Sequence, residues 1–183
     1  MLHRIAKFIY FKVMRWRLEG QFPKIDKCVI IVVPHTHWLD FPLGLLIRKV
    51  LNEEINYIGK KSLFKPPFGF FFRALGGTPV DRTKSKNMVQ ALIDVYDSNE
   101  NFIFAISPEG TRKKVSTWKT GFYHIAAKAN VPIACGFVDY YRREIGIGKV
   151  LYPSGDMDAD MEALKDFYRD KILFIFVLFV RIL

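Results

Sequence analysis

Three continuous apolar runs constrain the fold of this chain more than any other feature. They are rich in valine, isoleucine and phenylalanine, and they span residues 28–33, 102–106 and 131–138. Strands buried on both faces have this composition, whereas strands with one solvated face alternate apolar and polar residues. Helical patterns lie between the runs. The sequence therefore predicts an α/β fold, with a mostly parallel sheet flanked by helices.

The remaining predicted elements are shorter. Helices are expected at residues 41–51, 86–96, 120–129 and 157–168, and short strands at 55–59 and 78–80. Residues 144–151 alternate enough to pair antiparallel with the run at 131–138, across a turn at 140–143. In such folds, ligands bind at the loops that follow the strands, because the carboxyl ends of parallel strands meet at one edge.

Length and composition limit the class of protein. The 183 residues, half of them hydrophobic, suffice for one domain with a sizeable core. The net charge of +10 attracts nucleic acid, an anionic membrane face or phosphorylated substrates. Two cysteines, Cys28 and Cys135, are too few for a disulfide scaffold and favour a reducing compartment.

No run reaches the ~18 to 20 apolar residues of a membrane-spanning helix, and residues 1–25 lack the organisation of a signal peptide. We therefore expect a cytoplasmic protein, or one peripheral on the cytoplasmic face of the membrane.

The N-terminal region, residues 1–25, is expected to form a unit of its own. Helical spacing over residues 1–18 places five apolar residues on one face: Leu2, Ile5, Ile9, Val13 and Trp16. Basic residues outnumber acidic ones, which suits a helix at the boundary of an anionic bilayer. The alternative is a helix docked on the core, with its charged face in water.

A second apolar segment, residues 64–75, contains five phenylalanines beside cationic side chains. Phenylalanine at this density can enter a bilayer or line an acyl groove while the cations meet lipid phosphates. A core helix with a charged rim would have the same composition.

His35, His37 and Asp40 follow the first apolar run directly and precede a predicted helix. A carboxylate five positions after a histidine, across a strand-to-helix turn, can hold the imidazole in one tautomer, so that the imidazole takes a proton from a hydroxyl. Three other interpretations stay open. Asp40 could cap the helix, the histidines could be ordinary strand-end residues, or they could bind a metal, although His3 and His124 are the only other histidines.

Two further loops follow predicted strands. Gly76 and Gly77 precede a short strand that ends near Arg82, which is placed to grip a phosphate or to form a solvated pair with Asp81. Residues 107–112, Ser-Pro-Glu-Gly-Thr-Arg, offer backbone donors, a hydroxyl and a guanidinium together, which suits an anionic headgroup that carries hydroxyls. Further positive charge comes from Lys113, Lys114 and Lys119, although an exposed basic loop would look similar.

The order of these motifs resembles the four blocks of the glycerolipid acyltransferases, in particular the 1-acylglycerol-3-phosphate (lysophosphatidic acid) acyltransferases and a compact bacterial subgroup of them. The blocks match here as His35 to Asp40, Gly76 to Arg82, Pro108 to Arg112 and Val131 to Ile133. The sequence departs from the family at Pro34, where asparagine is usual, and at His37, where serine is frequent. The resemblance assigns an acyltransferase domain to residues 26–170 and leaves the apolar tail, residues 171–183, without a role.

The resemblance implies a glycerol-3-phosphate acyltransferase-like fold and a function in phospholipid biosynthesis. A fatty acyl group would pass from acyl-CoA or acyl carrier protein (acyl-ACP) to a hydroxyl of a lysophospholipid such as 1-acylglycerol-3-phosphate. His35 would be the general base, and Asp40 would hold its imidazole. The residues expected to bind substrate are Arg82, Glu109, Gly110, Thr111, Arg112 and Lys119.

The same resemblance implies neither a metal nor a further cofactor, because the acyl donor is a co-substrate. The expected partners are an anionic membrane surface, the lysophospholipid and the acyl donor, with no nucleic acid. Three alternatives stay open: the same chemistry on an aminolipid or a hydroxylated lipid, a non-catalytic relative that binds lipid or nucleic acid, and a metal-dependent hydrolase.

Overall fold

The computed structural model describes residues 2–80, 85–113 and 115–179, and within them a seven-stranded sheet flanked by helices. The strands run along the sheet in the order β1-β7-β6-β2-β5-β3-β4. Of the described pairings, only that of β6 with β7 is antiparallel. The predicted α/β fold is therefore confirmed. The strands are β1 (Arg17–Glu19), β2 (Lys27–Val32), β3 (Ile55–Lys60), β4 (Gly77–Val80), β5 (Phe102–Ile106), β6 (Ile133–Asp139) and β7 (Glu144–Leu151).

Six α-helices occur in the described part of the chain. They are α1 (Leu2–Lys7), α2 (Asp40–Leu51), α3 (Gly69–Ala74), α4 (Ser85–Ser98), α5 (Gly121–Lys128) and α6 (Met157–Phe179). A π-helical segment, Phe8–Val13, continues α1, and a 3₁₀ turn, Lys61–Phe64, follows β3. No helix of the described residues is both long and apolar enough to cross a membrane.

The two faces of the sheet carry different helices. On one face, α4, α5 and α6 cover the main core, in which Leu92, Phe122 and Leu164 pack against Val29 and Ile31 of β2. On the other face, α1 and α2 form a smaller cluster. Because β2 lies in the centre of the sheet and is buried on both faces, its residues are continuously apolar, as the sequence pattern indicated.

The N-terminal helix differs from its predicted form. It ends at Val13 instead of residue 18, and the chain then enters the short strand β1, which sequence periodicity did not predict. The buried side chains of the helical segment are Ala6 and Tyr10. Most of the apolar face that the sequence defined is instead exposed, namely Leu2, Ile5, Ile9 and Val13.

The C-terminal helix is longer than predicted. It continues from Met157 past Tyr168 to Phe179, so residues 171–179 are helical. Neither glycine nor proline interrupts residues 169–179, and nothing in the local sequence therefore ends the helix at Tyr168.

Adjacent strands bring two of the predicted motifs together. β2 and β5 are parallel neighbours, with Ile31 opposite Ile106. The loops that follow them therefore leave the same edge of the sheet. One loop carries His35, and the other carries the residues at 107–112.

Candidate active site

His35 and Asp40 form a hydrogen-bonded pair at this edge. Nδ1 of His35 lies 2.9 Å from Oδ2 of Asp40, and 27% of the His35 side chain is exposed against 4% of the Asp40 side chain. Burial acts to raise the pKa of Asp40, but hydrogen bonds from His35, Tyr140 and the His37 N–H outweigh it, so the pKa lies below its usual value of 3.8. An ionised carboxylate only accepts hydrogen bonds. Nδ1 must therefore be the donor, which leaves the lone pair of neutral His35 on Nε2.

The carboxylate of Asp40 faces back toward the histidine loop. Its Oδ2 also accepts the N–H of His37, at 2.9 Å. Helix α2 begins at Asp40, yet no side chain caps its N-terminus by a hydrogen bond. The capping interpretation of Asp40 is therefore wrong.

Tyr140 completes the hydrogen bonding of Asp40. Its hydroxyl donates to Oδ1, the carboxylate oxygen that His35 does not use. Burial and the nearby carboxylate raise the pKa of Tyr140 above its ordinary value of 10.0, so the phenol stays protonated as a donor. Sequence reasoning missed this residue, because it lies in a turn 100 positions after Asp40, and local spacing carries no signal for such a contact.

Glu109 connects the two loops. Its Oε2 accepts the backbone N–H of His35 at 2.7 Å and lies 3.4 Å from Oγ of Ser107. Burial raises the pKa of Glu109 above its usual value of 4.5, although the hydrogen bond from His35 acts in the opposite direction. The carboxylate thus contacts the backbone of the histidine loop.

A large apolar cleft opens beside His35. Its volume is about 1510 Å³, and its lining includes residues of α2, α4, α5 and the sheet. Drug-sized ligand pockets usually measure about 300–1,000 Å³, so this cleft has room for a longer ligand. The exposed side chains of Trp38, Phe41 and Leu63 also border it.

The loop after β5 contributes cations to the cleft. Gly110, Thr111, Arg112 and Lys119 line the cleft together with His35 and Asp40. Gly110 has φ +64°, and a Cβ at this position would lie 2.8 Å from Nζ of Lys119, so glycine permits the lysine to fold over the loop. Of the residues expected to bind substrate, Arg82 lies outside the described residues, as do Asp81 and Lys114.

The histidines were also considered as metal ligands. In residues 2–80, 85–113 and 115–179, no group of three or more His, Cys, Asp or Glu side chains could hold a metal ion. Nδ1 of His37 accepts the N–H of Leu39 at 3.2 Å, and His124 lies on α5. The described geometry pairs His35 with a carboxylate and leaves His37 in a local turn.

The fold and this geometry define a class of α/β proteins in which an imidazole–carboxylate pair lines an apolar cleft. A family model described as Acyltransferase matches residues 15–136, which is more than half of the chain. The chain belongs to this acyltransferase family. No curated protein matches the sequence.

A solved structure supports the fold. The crystal structure of the 1-acyl-sn-glycerophosphate (LPA) acyltransferase PlsC from Thermotoga maritima superimposes with a TM-score of 0.68 at 18% sequence identity. The superposition covers 95% of this chain and 78% of that one. At this identity the similarity establishes the shared fold.

Proposed function

We propose that the protein transfers a fatty acyl group from acyl-CoA or acyl-ACP to a hydroxyl of a lysophospholipid such as 1-acylglycerol-3-phosphate, in phospholipid biosynthesis. The observation that carries the proposal is the His35–Asp40 pair, which lines an apolar cleft of about 1510 Å³. The pair can activate a hydroxyl, and the cleft can hold an acyl chain. Membership of the acyltransferase family supports the same chemistry.

In the proposed mechanism, Nε2 of His35 takes the proton of the acceptor hydroxyl while Nδ1–H stays hydrogen-bonded to Asp40. The alkoxide oxygen attacks the thioester carbonyl, and a tetrahedral oxyanion forms. Its collapse breaks the carbon–sulfur bond and gives the ester. The departing thiolate takes the proton from the imidazolium, so a free thiol leaves and His35 is neutral again. No acyl-enzyme forms, and the dyad needs no serine or cysteine.

Cations near the dyad fit an acceptor that carries phosphate. Arg112 and Lys119 line the cleft with His35, and a guanidinium can bind phosphate through two parallel hydrogen bonds. We assign the acceptor phosphate to these side chains together with Arg82, and the glycerol to the Gly110–Thr111 segment. Glu109 contributes differently, because its carboxylate already accepts the N–H of His35. We assign it to holding the histidine loop.

Exposed apolar side chains support an anionic membrane surface as a partner. The α1 surface comprises the exposed side chains of Leu2, Ile5, Phe8, Ile9, Phe11 and Val13. The aromatic surface comprises Leu63, Phe68, Phe70 and Phe71. Cationic side chains accompany both surfaces, as binding at the boundary of an anionic bilayer requires. We propose that the protein is peripheral on the cytoplasmic face of the membrane and takes its lysophospholipid acceptor from the bilayer.

The test is acyl transfer by the purified full chain on anionic vesicles. Thiol release from palmitoyl-CoA and palmitoyl-ACP would be measured with lysophosphatidic acid and with a panel of aminolipids and hydroxylated lipids. We expect acceptor-dependent release that falls about 10²- to 10⁴-fold in His35→Ala, because general-base catalysis contributes this much. The matched control is His124→Ala, an exposed histidine on α5 that does not line the cleft. Unchanged turnover in a folded His35→Ala protein would refute the mechanism, and release with another acceptor alone would refute the lysophosphatidic acid assignment.

A further inference from the structure

Tyr140 joins Asp40 to the N-terminal segment of the molecule. It is the first residue of the turn between β6 and β7. The buried carboxylate of Asp139 shapes this turn, because its Oδ1 accepts the N–H groups of Tyr141 and Arg142, each at 2.9 Å. The turn thereby directs the Tyr140 hydroxyl onto Oδ1 of Asp40.

The ring of Tyr140 contacts the N-terminal segment. Trp16, which is buried, meets it edge to face, with ring centroids 5.4 Å apart at 87°. Tyr10 holds Trp16 in turn, because the backbone carbonyl of Tyr10 accepts the backbone N–H of Trp16 at 3.0 Å. Tyr10 is fully buried in the π-helical continuation of α1, and its hydroxyl donates to the carbonyl of Arg17 at 2.8 Å. A continuous series of contacts therefore leads from the helix that carries the α1 surface to the carboxylate of the dyad.

We propose that Tyr140 is a positioning residue, which fixes the orientation of Asp40 toward His35 and makes that orientation depend on docking of the N-terminal segment through Trp16. The inference rests on the proposed function. Oδ2 of Asp40 accepts from both His35 and the His37 N–H, so the carboxylate must keep one rotation to serve both. The hydrogen bond at Oδ1 provides that restraint. Movement of Trp16 would shift the Tyr140 ring and break its hydrogen bond to Asp40.

The first variant is Tyr140→Phe, which keeps the ring against Trp16 and removes only the hydroxyl. We expect kcat for acyl transfer to fall about tenfold or more, as loss of a hydrogen bond to a charged group implies, while KM for the acyl donor stays unchanged. Tyr141→Phe is the matched control. It lies in the same turn with its side chain 66% exposed, and we expect it to behave as wild type. Wild-type kcat in Tyr140→Phe would overturn the inference.

A pH profile separates positioning from a general structural effect. The titratable groups around Asp40 are His35, Tyr140, His37 and the more distant Glu109. The ring centroid of His37 lies 5.7 Å from that of Tyr140. Removal of the Tyr140 donor leaves more negative charge on Asp40 to hold the proton of the imidazolium. The acid limb of the kcat/KM profile should therefore move to higher pH. An unmoved limb together with a raised KM would show a merely structural role and would overturn the inference.

The dependence on the N-terminal segment is tested by a double-mutant cycle. We expect Trp16→Leu to lower kcat in the wild-type background and to have much less effect in the Tyr140→Phe background, because both changes act through one hydrogen bond. Additive effects would overturn the link to Trp16. Thermal denaturation of each variant shows whether the Trp16 change leaves the fold intact, and if it does not, Trp16→Phe replaces it in the cycle.

A readout independent of turnover keeps this inference distinct from the proposed function. Proton NMR of the wild type should show a downfield hydroxyl resonance that disappears in both Tyr140→Phe and Asp40→Ala, and that Tyr141→Phe retains. Its presence in a protein inactive on every acceptor would refute the proposed function alone. Its absence from the wild type would overturn the hydrogen bond on which the inference depends.

Discussion

Among single residues, Glu109 acts on the candidate site through the backbone of the histidine loop. Its carboxylate does not line the cleft; it accepts the N–H of His35 and lies near the hydroxyl of Ser107. A buried backbone N–H without a partner is costly, so this hydrogen bond stabilises the turn that presents His35. The stability of this turn therefore depends more on an acceptor oxygen at position 109 than on the charge of Glu109.

Glutamine at position 109 keeps an acceptor, whereas alanine removes it. We therefore expect Glu109→Gln to retain most of the kcat/KM for acyl transfer, and Glu109→Ala to lose about 10- to 100-fold, the equivalent of a hydrogen bond to a charged group. Steady-state kinetics on both variants checks this. Equal losses in the two variants would show that activity depends on the charge of Glu109 and not only on its acceptor oxygen.

Comparison of the wild type with Glu109→Gln also tests how Glu109 affects the free energy of unfolding. The folded-state pKa of Glu109 is raised by burial above 4.5, so the unfolded chain loses this proton first as the pH increases. Stability falls wherever the unfolded state binds fewer protons, so the contribution of Glu109 is greatest below pH 4.5 and is lost as the pH rises through the folded-state pKa. Urea denaturation across this window should show the free energy of unfolding of the wild type falling relative to that of Glu109→Gln.

Sequence reasoning found those site residues whose partners are local or belong to a motif. His35 and Asp40 are five positions apart, and their pairing follows from one strand-to-helix turn. The contact between Glu109 and His35 spans 74 positions and depends on β2 and β5 being neighbours, which a single sequence does not specify. Tyr140 is still further from Asp40 along the chain, and no motif includes it. The predicted site therefore lacked one of the hydrogen-bond donors to its carboxylate.

Among the elements, helix α2 packs against the core with one face and lines the cleft with the other. Leu43 and Val50 belong to the buried cluster that α1 completes. Phe41, Gly44 and Arg48 lie at helical spacing on the cleft side. Gly44 is notable because a Cβ there would meet nothing within 4 Å, so packing against neighbouring groups does not require glycine. We infer that the absence of a side chain leaves room for the acyl chain.

This inference predicts opposite effects of Gly44→Ala on stability and activity. Alanine in a helix interior is more stable than glycine by about 0.5–1 kcal/mol, so the melting temperature should rise by about 1–4 °C. The added methyl narrows the cleft, so turnover of palmitoyl-CoA should fall relative to butyryl-CoA. Lys49→Ala, on the exposed side of α2 and outside the cleft, serves as the control and should leave the substrate ratio unchanged. A stabilised Gly44→Ala protein with the wild-type ratio would show that the acyl chain does not pass Gly44.

The N-terminal element shows where periodicity alone gave an incomplete result. The apolar spacing predicted a helix, and α1 is present, but the same spacing does not tell which partner the apolar face meets. In the structure, Ala6 and Tyr10 bury against the core, and the larger apolar face stays exposed. Helical periodicity also extended the helix through Trp16, although Trp16 packs on Tyr140 just before β1. Tertiary contacts therefore determine both which residues of the helix are buried and where the helix ends.

Across the whole molecule, two exposed apolar surfaces lie on or beside elements that line the cleft. The α1 surface belongs to a helix that packs on α2, whose opposite side lines the cleft. In the aromatic surface, Leu63 also lines the cleft. Contiguous exposed apolar patches are uncommon on monomeric soluble proteins and mark interaction sites. A lipid bilayer suits both surfaces, because it would cover them and supply the lysophospholipid acceptor of the proposed reaction.

The aromatic surface gives the clearest test of binding to a bilayer. Phe68 and Phe70 are 67% and 74% exposed, so serine at both positions should leave thermal stability almost unchanged. Full burial of a phenylalanine contributes about 1.5–3 kcal/mol, so the partition coefficient onto phosphatidylglycerol-containing vesicles should fall by at least about tenfold in the double variant. Tyr152→Ser, which changes another aromatic side chain that is 66% exposed, is the matched control and should bind as wild type.

Salt separates the two contributions to vesicle binding, because electrostatic attraction weakens at high ionic strength while apolar insertion does not. We expect wild-type binding to decrease but persist in high salt, and binding of the Phe68→Ser/Phe70→Ser variant to disappear. If the double variant binds as tightly as the wild type at every salt concentration, Phe68 and Phe70 do not enter the bilayer, and the α1 surface would have to account for membrane attachment without them.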